Sequence, residues 1–165
     1  MRHDVAPGPA VRLDAAHGAV AGAICLEILA ELPAWFGIPA ANADYAETAE
    51  RGSLVAYDHE GQAIGITTVV RHFPTAAEIH LMAVRPGWHR QGVGAAMVRQ
   101  VEAELGAEGV RFLQVKALSP AHPDPGYALT REFYVALGFE PLEEFPDLWG
   151  PHDPALQLVK SLPPS

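Results

Sequence analysis

Between His89 and Ala96 the chain reads His-Arg-Gln-Gly-Val-Gly-Ala-Ala, placing two glycines where a strand pattern gives way to a helix pattern. Backbone N–H groups at such a start converge, and the helix dipole adds positive potential, so Gly92 and Gly94 suit an anion such as a phosphate. A tight structural turn uses the same two glycines, and the pair alone does not separate the two uses. Two phosphate loops are excluded by the neighbours. A Walker-type loop ends in Gly-Lys-Ser/Thr, and here Gly94 is followed by Ala95-Ala96. A dinucleotide loop needs a third glycine at position 97, which is Met97.

Other polar residues with chemical potential lie just upstream and downstream. In AEIHLMAV (77–84), strand alternation puts Glu78, His80 and Met82 on one face and Ile79, Leu81 and Ala83 on the other. Glu78 and His80 would sit roughly 7 Å apart, within reach of one water chain. A solvated strand end and a hydrogen-bonded core histidine are the plainer readings of that pair. Helical period places Tyr127, Arg131 and Tyr134 on one face. The eight histidines show no paired metal spacing, so metal catalysis is not expected. Cys25 lies among Ile24, Leu26 and Ile28 and reads as a small buried hydrophobe rather than a nucleophile.

The elements that must position these groups fit in one domain. The chain has 165 residues, 49% of them hydrophobic and 19% charged, which excludes a disordered chain and leaves no room for two full cores. Eleven Lys+Arg against 20 Asp+Glu give a net charge of −9, which argues against a nucleic-acid binder and favours cationic small molecules or plain solubility. A single cysteine, an N-terminal MRHDVAPGPA without an apolar core and the lack of an 18-residue apolar run lead us to expect a reduced, cytoplasmic protein off the membrane.

Residues 1–10 read as a loose arm, and VRLDAA (11–16) carries only a weak edge-strand pattern. A helix follows from Val20 to Leu32, stopped by Pro33, and a second runs to Glu50 from a cap at Asn42 or Asp44. SLVAY (53–57), the turn DHEG and AIGITTVVRHF (63–73) form a hairpin, followed by the strand at 77–84. A helix from Gly92 to Leu105 repeats Val93, Met97, Val101 and Leu105 at four-residue steps. VRFLQVKAL (110–118) is a strand, and Asp124-Pro125 cap a helix over about 126–137 that Gly138 closes. Glu140–Phe145 and Leu156–Val159 are final strands around a loop holding Trp149. The order gives an α/β (α+β) domain with a mixed sheet.

The run EIHLMAVRPGWHRQGVGAAMV (78–98), then LQVKAL (113–118), then REFYVALGFEPL (131–142), resembles the GNAT superfamily of acetyl-CoA-dependent N-acyltransferases. That family has a strand ending in a small apolar pair, a Q/R-x-x-G-x-G/A loop, a long helix, a splayed strand and a helix closing in Tyr-x-x-x-Gly-Phe, here Tyr134 to Phe139. The leading Q/R position is His89, a mild departure because the loop works mainly through backbone N–H groups, and Arg90 offers a positive charge nearby. The motifs cover about 78–142, and the order of elements extends the match to about 24–160.

The resemblance implies a single N-acetyltransferase domain over 1–165. Its mostly antiparallel, twisted sheet would be splayed between the fourth and fifth strands and flanked by about four helices. It implies that Ala83 and Val84 pair with the pantetheine arm of acetyl-CoA, and that the loop of His89, Arg90, Gln91, Gly92, Val93, Gly94 and Ala95 binds its pyrophosphate. An amine would attack the thioester directly in a ternary complex, with Tyr134 as the acid for the departing thiolate and Glu78, His80 or a water relay as the base. A core aromatic is the alternative for Tyr134. Trp35, Phe36, Tyr45, Tyr127 and Trp149 fall where the family shapes its acceptor pocket, and ordinary packing is the alternative for each. Glu140, Glu143, Glu144 and Asp147 would attract a cationic amine or simply form a solvated face. The expected partners are acetyl-CoA and a cationic amine, with no nucleic acid, membrane or metal, in a monomer or homodimer. A catalytically degenerate acyl-CoA sensor and a purely structural interaction protein are the competing classes.

Overall fold

The computed structural model describes residues 10–164; the arm expected at the N-terminus lies, apart from Ala10, outside the described residues. Among the described residues, seven strands form one sheet in the order β1-β2-β3-β4-β5-β7-β6, with four α-helices. The strands are β1 (Arg12–Ala16), β2 (Ser53–Tyr57), β3 (Ala63–Phe73), β4 (Ala76–Val84), β5 (Phe112–Leu118), β6 (Glu140–Phe145) and β7 (Ala155–Ser161). The helices are α1 (Gly18–Ala30), α2 (Pro39–Glu50), α3 (Val93–Ala107) and α4 (Pro125–Ala136). β4 and β5 are parallel, whereas β1–β2, β2–β3, β5–β7 and β6–β7 are antiparallel. The chain packs as two compact units. One holds the described residues through Val69 with Leu81–Val101, and the other holds Val70–His80 with the chain from Glu102.

In the first unit, alternation on β2 and β4 sends Val55, Leu81 and Ala83 to the face covered by Cys25, Ile28 and Leu29 of α1 and Ala46 and Ala49 of α2. Ala56, Met82 and Val84 go to the face covered by Val93 and Met97 of α3. A register shift after Ala56↔Gly65, where Tyr57 pairs with Ala63, leaves Ile64 as an extra residue on β3. Ile64 therefore joins the α3 cluster while Ile66, two residues on, joins the α1/α2 cluster. Gly65 lies against Met97, whose methyl would stand 2.9 Å from an added Cβ. The hairpin turn forms where the sequence places it: Asp58 Oδ1 accepts the Glu60 and Gln62 N–H groups, each at 2.9 Å, and Gly61 takes φ +79°.

Several boundaries differ from the sequence reading, among them α1, which runs Gly18–Ala30 rather than Val20–Leu32, and β7, which runs Ala155–Ser161 rather than Leu156–Val159. The weak pattern at 11–16 is a true strand, β1, paired along its length with β2. α2 begins at Pro39 rather than at a cap on Asn42 or Asp44, because proline suits the first helical turn, where its missing N–H is not needed. Asn42 lies inside that helix, with Nδ2 donating to the Phe36 carbonyl at 2.8 Å. β5 starts at Phe112, not Val110, because the Val110 N–H closes the end of α3 on the Leu105 carbonyl.

In the second unit β5 pairs with β4 from Ala76↔Phe112 to Ile79↔Val115, and β4 continues beyond that last pair through His80–Val84. Asp124 Oδ1 caps α4 by accepting from the Gly126 N–H at 2.8 Å, with Pro125 in the first turn, as the sequence predicts. Lys160 on β7 donates to Glu102 Oε1 at 2.8 Å and to the Leu137 carbonyl at 2.7 Å, tying the end of α3 and the end of α4 to the sheet.

Candidate active site

The glycine loop follows β4 in the first unit. Pro86–Trp88 form a single 3-10 turn, Arg90 takes φ +60° and Gly92 takes φ +82°, and α3 starts at Val93. The Gly92 carbonyl accepts the Ala96 N–H at 3.0 Å, so the N–H groups of Val93, Gly94 and Ala95 belong to the open first turn of the helix. Positive φ at Arg90 and Gly92 makes a concave backbone of the kind that gathers N–H groups on an anion. The loop is braced by its own side chains. Gln91 Nε2 donates to the Gly87 carbonyl at 2.9 Å, and His89 Nε2 donates to the Val84 carbonyl at 2.6 Å. At the start of the loop, buried Arg85 donates from Nε to the Ala63 carbonyl at 2.7 Å and pairs through Nη1 with Glu31, just past the end of α1, at 3.0 Å.

Glu78 and His80 have different surroundings. Glu78 is buried, and its carboxylate is fully engaged: Lys116 Nζ reaches Oε1 at 3.0 Å and Oε2 at 3.1 Å, and His72 Nε2 meets Oε1 at 2.7 Å. Gln114 Nε2 stands 3.4 Å from the same oxygen, and Gln157 in turn donates to Gln114 Oε1. His80, two residues along the strand, is exposed.

Tyr134 is buried in α4, with its ring edge-on to Phe133 at 5.0 Å and to Phe139 at 5.4 Å. Burial pushes its hydroxyl well above the usual tyrosine range, so the group stays protonated and is a proton donor only. Arg131, one turn earlier, donates to the Leu118 carbonyl at 2.7 Å and so ties α4 to the end of β5.

The aromatic residues expected at an acceptor pocket divide between the units. In the first, exposed Trp35 stands edge-on to His89 at 6.2 Å, and Phe36 edge-on to Tyr45 at 5.7 Å, the latter pair against the α1/α2 core. Burial, and then Cys25 nearby, raises the Tyr45 hydroxyl above its ordinary value. In the second, Tyr127 is half-buried and edge-on to His122 at 6.0 Å, and Trp149 is exposed in the β6–β7 loop. Glu140, Glu143, Glu144 and Asp147 are all exposed. Cys25 is fully buried, and that burial pushes its thiol up to about 11, the behaviour of a packing residue. No group of His, Cys, Asp or Glu among the described residues is arranged to hold a metal ion, and none of their helices is long and apolar enough to cross a membrane.

His72 and Lys116 carry contacts that the sequence reading did not single out. His72 is only six positions from Glu78, on the adjoining strand, and a histidine near a strand end gives no pattern to notice. Lys116 is 38 positions away, and only the parallel register Glu78↔Gln114 brings it to the carboxylate.

The model of the acetyltransferase (GNAT) domain matches residues 50–141 of the chain. Several solved structures are similar in fold. A protein from Desulfovibrio desulfuricans described as a GNAT-family acetyltransferase superposes with TM-score 0.80 at 17% identity, over 93% of this chain and 100% of that one. The ribosomal-protein-S18-alanine N-acetyltransferase of Escherichia coli gives 0.75 at 17%, over 94% and 96%. An aminoglycoside 6'-N-acetyltransferase in complex with coenzyme A gives 0.70 at 18%, over 92% and 98%. No curated protein sequence matches the chain significantly. The domain match takes in β2 to the start of β6, the glycine loop and the Tyr134 helix, and by it the chain belongs to the GNAT acetyltransferase family.

Proposed function

We propose that this protein is an acetyl-CoA-dependent N-acetyltransferase, moving the acetyl group to a primary amine of a small molecule or peptide by direct attack in a ternary complex. The observation that carries the reading is the loop after β4: positive φ at Arg90 and Gly92 and an open first turn at Val93–Ala95, in a chain of this family. His89 through Ala95 would hold the pyrophosphate, and Ala83 and Val84 would present the edge of β4 to the pantetheine amides. A similar fold in complex with coenzyme A supports that ligand. Tyr134, kept protonated by burial, would supply the proton to the leaving thiolate. For the proton acceptor the sequence offers Glu78, His80 or a water relay, and the surroundings of Glu78 bear on which group takes the proton. The net charge of −9 favours a cationic acceptor.

Thermal unfolding with acetyl-CoA, followed by thiol release across a panel of polyamines, aminoglycosides, amino acids and N-terminal peptides, tests the proposal. Stabilisation by acetyl-CoA with amine-dependent thiol release is the expected result. An absence of stabilisation overturns it. Stabilisation without release for any amine favours an acyl-CoA sensor instead.

A further inference from the structure

We propose that His72 is the catalytic base of this enzyme and that Glu78 and Lys116 are its positioning residues, an assignment that rests on the acetyl-transfer reading above. The carboxylate of Glu78 has little left to offer an incoming amine. Its Oε1 takes His72 Nε2 at 2.7 Å and Lys116 Nζ at 3.0 Å, its Oε2 takes Lys116 Nζ at 3.1 Å, and the residue is 8% exposed. The imidazole is the accessible member of the group, with 40% of its side chain open to solvent.

The pairing also selects the ring's tautomer. A carboxylate accepts hydrogen bonds and cannot donate them, so His72 Nε2 carries the hydrogen and Nδ1 carries the lone pair. An imidazole held this way is fixed in orientation, with its unprotonated nitrogen turned away from the carboxylate. Lys116 holds both Glu78 oxygens, and the Gln114–Gln157 pair braces the carboxylate from β5 and β7. His72 Nδ1 would take one proton from the acceptor ammonium. The freed amine nitrogen then forms the C–N bond, and collapse breaks the C–S bond with its electron pair left on sulfur. Tyr134 gives its proton to that thiolate and regains one, through solvent, as the nitrogen loses its second. His72 releases the first proton to solvent, which balances the reaction.

The test uses the whole chain with an amine that the parent acetylates. His72→Ala should lower kcat by roughly 10²–10⁴-fold. Acetyl-CoA affinity should stay within a few-fold, and added imidazole should restore part of the rate. Glu78→Gln and Lys116→Met should each lower kcat in the parent, and each should cost no more than a few-fold further in the His72→Ala background, because they act through the ring. Parent-level turnover in His72→Ala, or a loss that imidazole does not relieve, overturns the assignment. Ring nitrogen NMR should show the Nε2–H tautomer for His72 in the parent and a mixture in Glu78→Gln; an Nδ1–H tautomer in the parent overturns it as well. A parent that releases no thiol with any amine of the panel overturns the acetyl-transfer reading and this role with it, whereas an active parent with an indifferent His72 overturns this role alone.

Discussion

Phe139 closes the helix that carries Tyr134 and packs on its ring at the same time. The Phe139 N–H donates to the Tyr134 carbonyl at 3.0 Å, the Gly138 N–H donates to the Val135 carbonyl at 3.0 Å, and the two rings meet edge-on at 5.4 Å and 72°. This is the Schellman pattern, with Gly138 in the left-handed region at φ +95° so that the chain can reverse. The reversal drops Phe139 into the core, where it is 1% exposed, and fixes the Tyr134 ring from one side. The sequence Tyr-x-x-x-Gly-Phe is thus one device with two results, a helix end and an oriented phenol.

Gly138→Ala tests the device. A Cβ at this φ strains the backbone by about 1–2 kcal/mol, and it would also stand 3.4 Å from Lys160 Cε. Urea unfolding should show a lower midpoint with an unchanged slope. An unshifted midpoint would mean that the left-handed turn contributes nothing to stability.

The loop after β4 is tested by Gly94→Val. The parent should gain about 2.7 kcal/mol of stability from acetyl-CoA at 100 times its dissociation constant. A β-branched side chain in the first turn of α3 blocks close approach of an anion to the backbone there, so most of that gain should vanish. Calorimetric binding equal to the parent's would remove the pyrophosphate from this loop.

What was legible in the sequence was what is encoded locally. The Asp124-Pro125 cap, the Asp58–Gly61 turn and the four-residue period of α3 each depend on residues a few positions apart, and each stands where its pattern put it. The start of α2 was misplaced because Asn42 is as good a cap residue as any, and only the packing of the preceding turn shows that its amide serves Phe36 instead. The extra residue at Ile64 leaves no mark, since a bulge in a run of β-formers keeps the composition of a strand. Among the candidate site residues, Gly92 and Gly94 could be picked out by spacing and Glu78 by strand alternation, whereas Tyr134 could be picked out through the family resemblance. The partners of Glu78 could not, because Lys116 reaches it only through the parallel pairing of β4 with β5.

Cys25 gives the fold a pH dependence of known sign. Its thiol is pushed from 9.0 to about 11 by burial, so the folded state holds the proton more tightly than the unfolded chain does. The stability this contributes is fully present below pH 9 and is lost as the pH rises through about 11, to the extent of about 2–3 kcal/mol. Parent and Cys25→Ala should therefore differ by a constant amount up to pH 9 and converge above it in urea titrations. A constant difference across the whole range would show that the thiol does not ionise on unfolding. At pH 8 the native thiol should resist a disulfide reagent that labels it at once in urea.

Tyr134→Phe separates a catalytic phenol from a packing one. The ring contacts with Phe133 and Phe139 survive the change, so stability should move by no more than one hydrogen bond, about 0.5–1.5 kcal/mol. The variant loses the one proton the side chain can give. The thiolate of coenzyme A is a tolerable leaving group without help, which limits the expected fall in kcat to roughly 10–10³-fold. Acetyl-CoA affinity should stay within a few-fold, because in the proposed reading the loop after β4 and the β4 edge would supply the binding. Burial holds the hydroxyl above its ordinary range, so the parent should show no loss of rate from tyrosine ionisation below a pH of about 10. A purely structural tyrosine would give the reverse pattern, with lost stability and intact turnover. Near-parent kcat in Tyr134→Phe on the true acceptor would mean that water or another group protonates the thiolate.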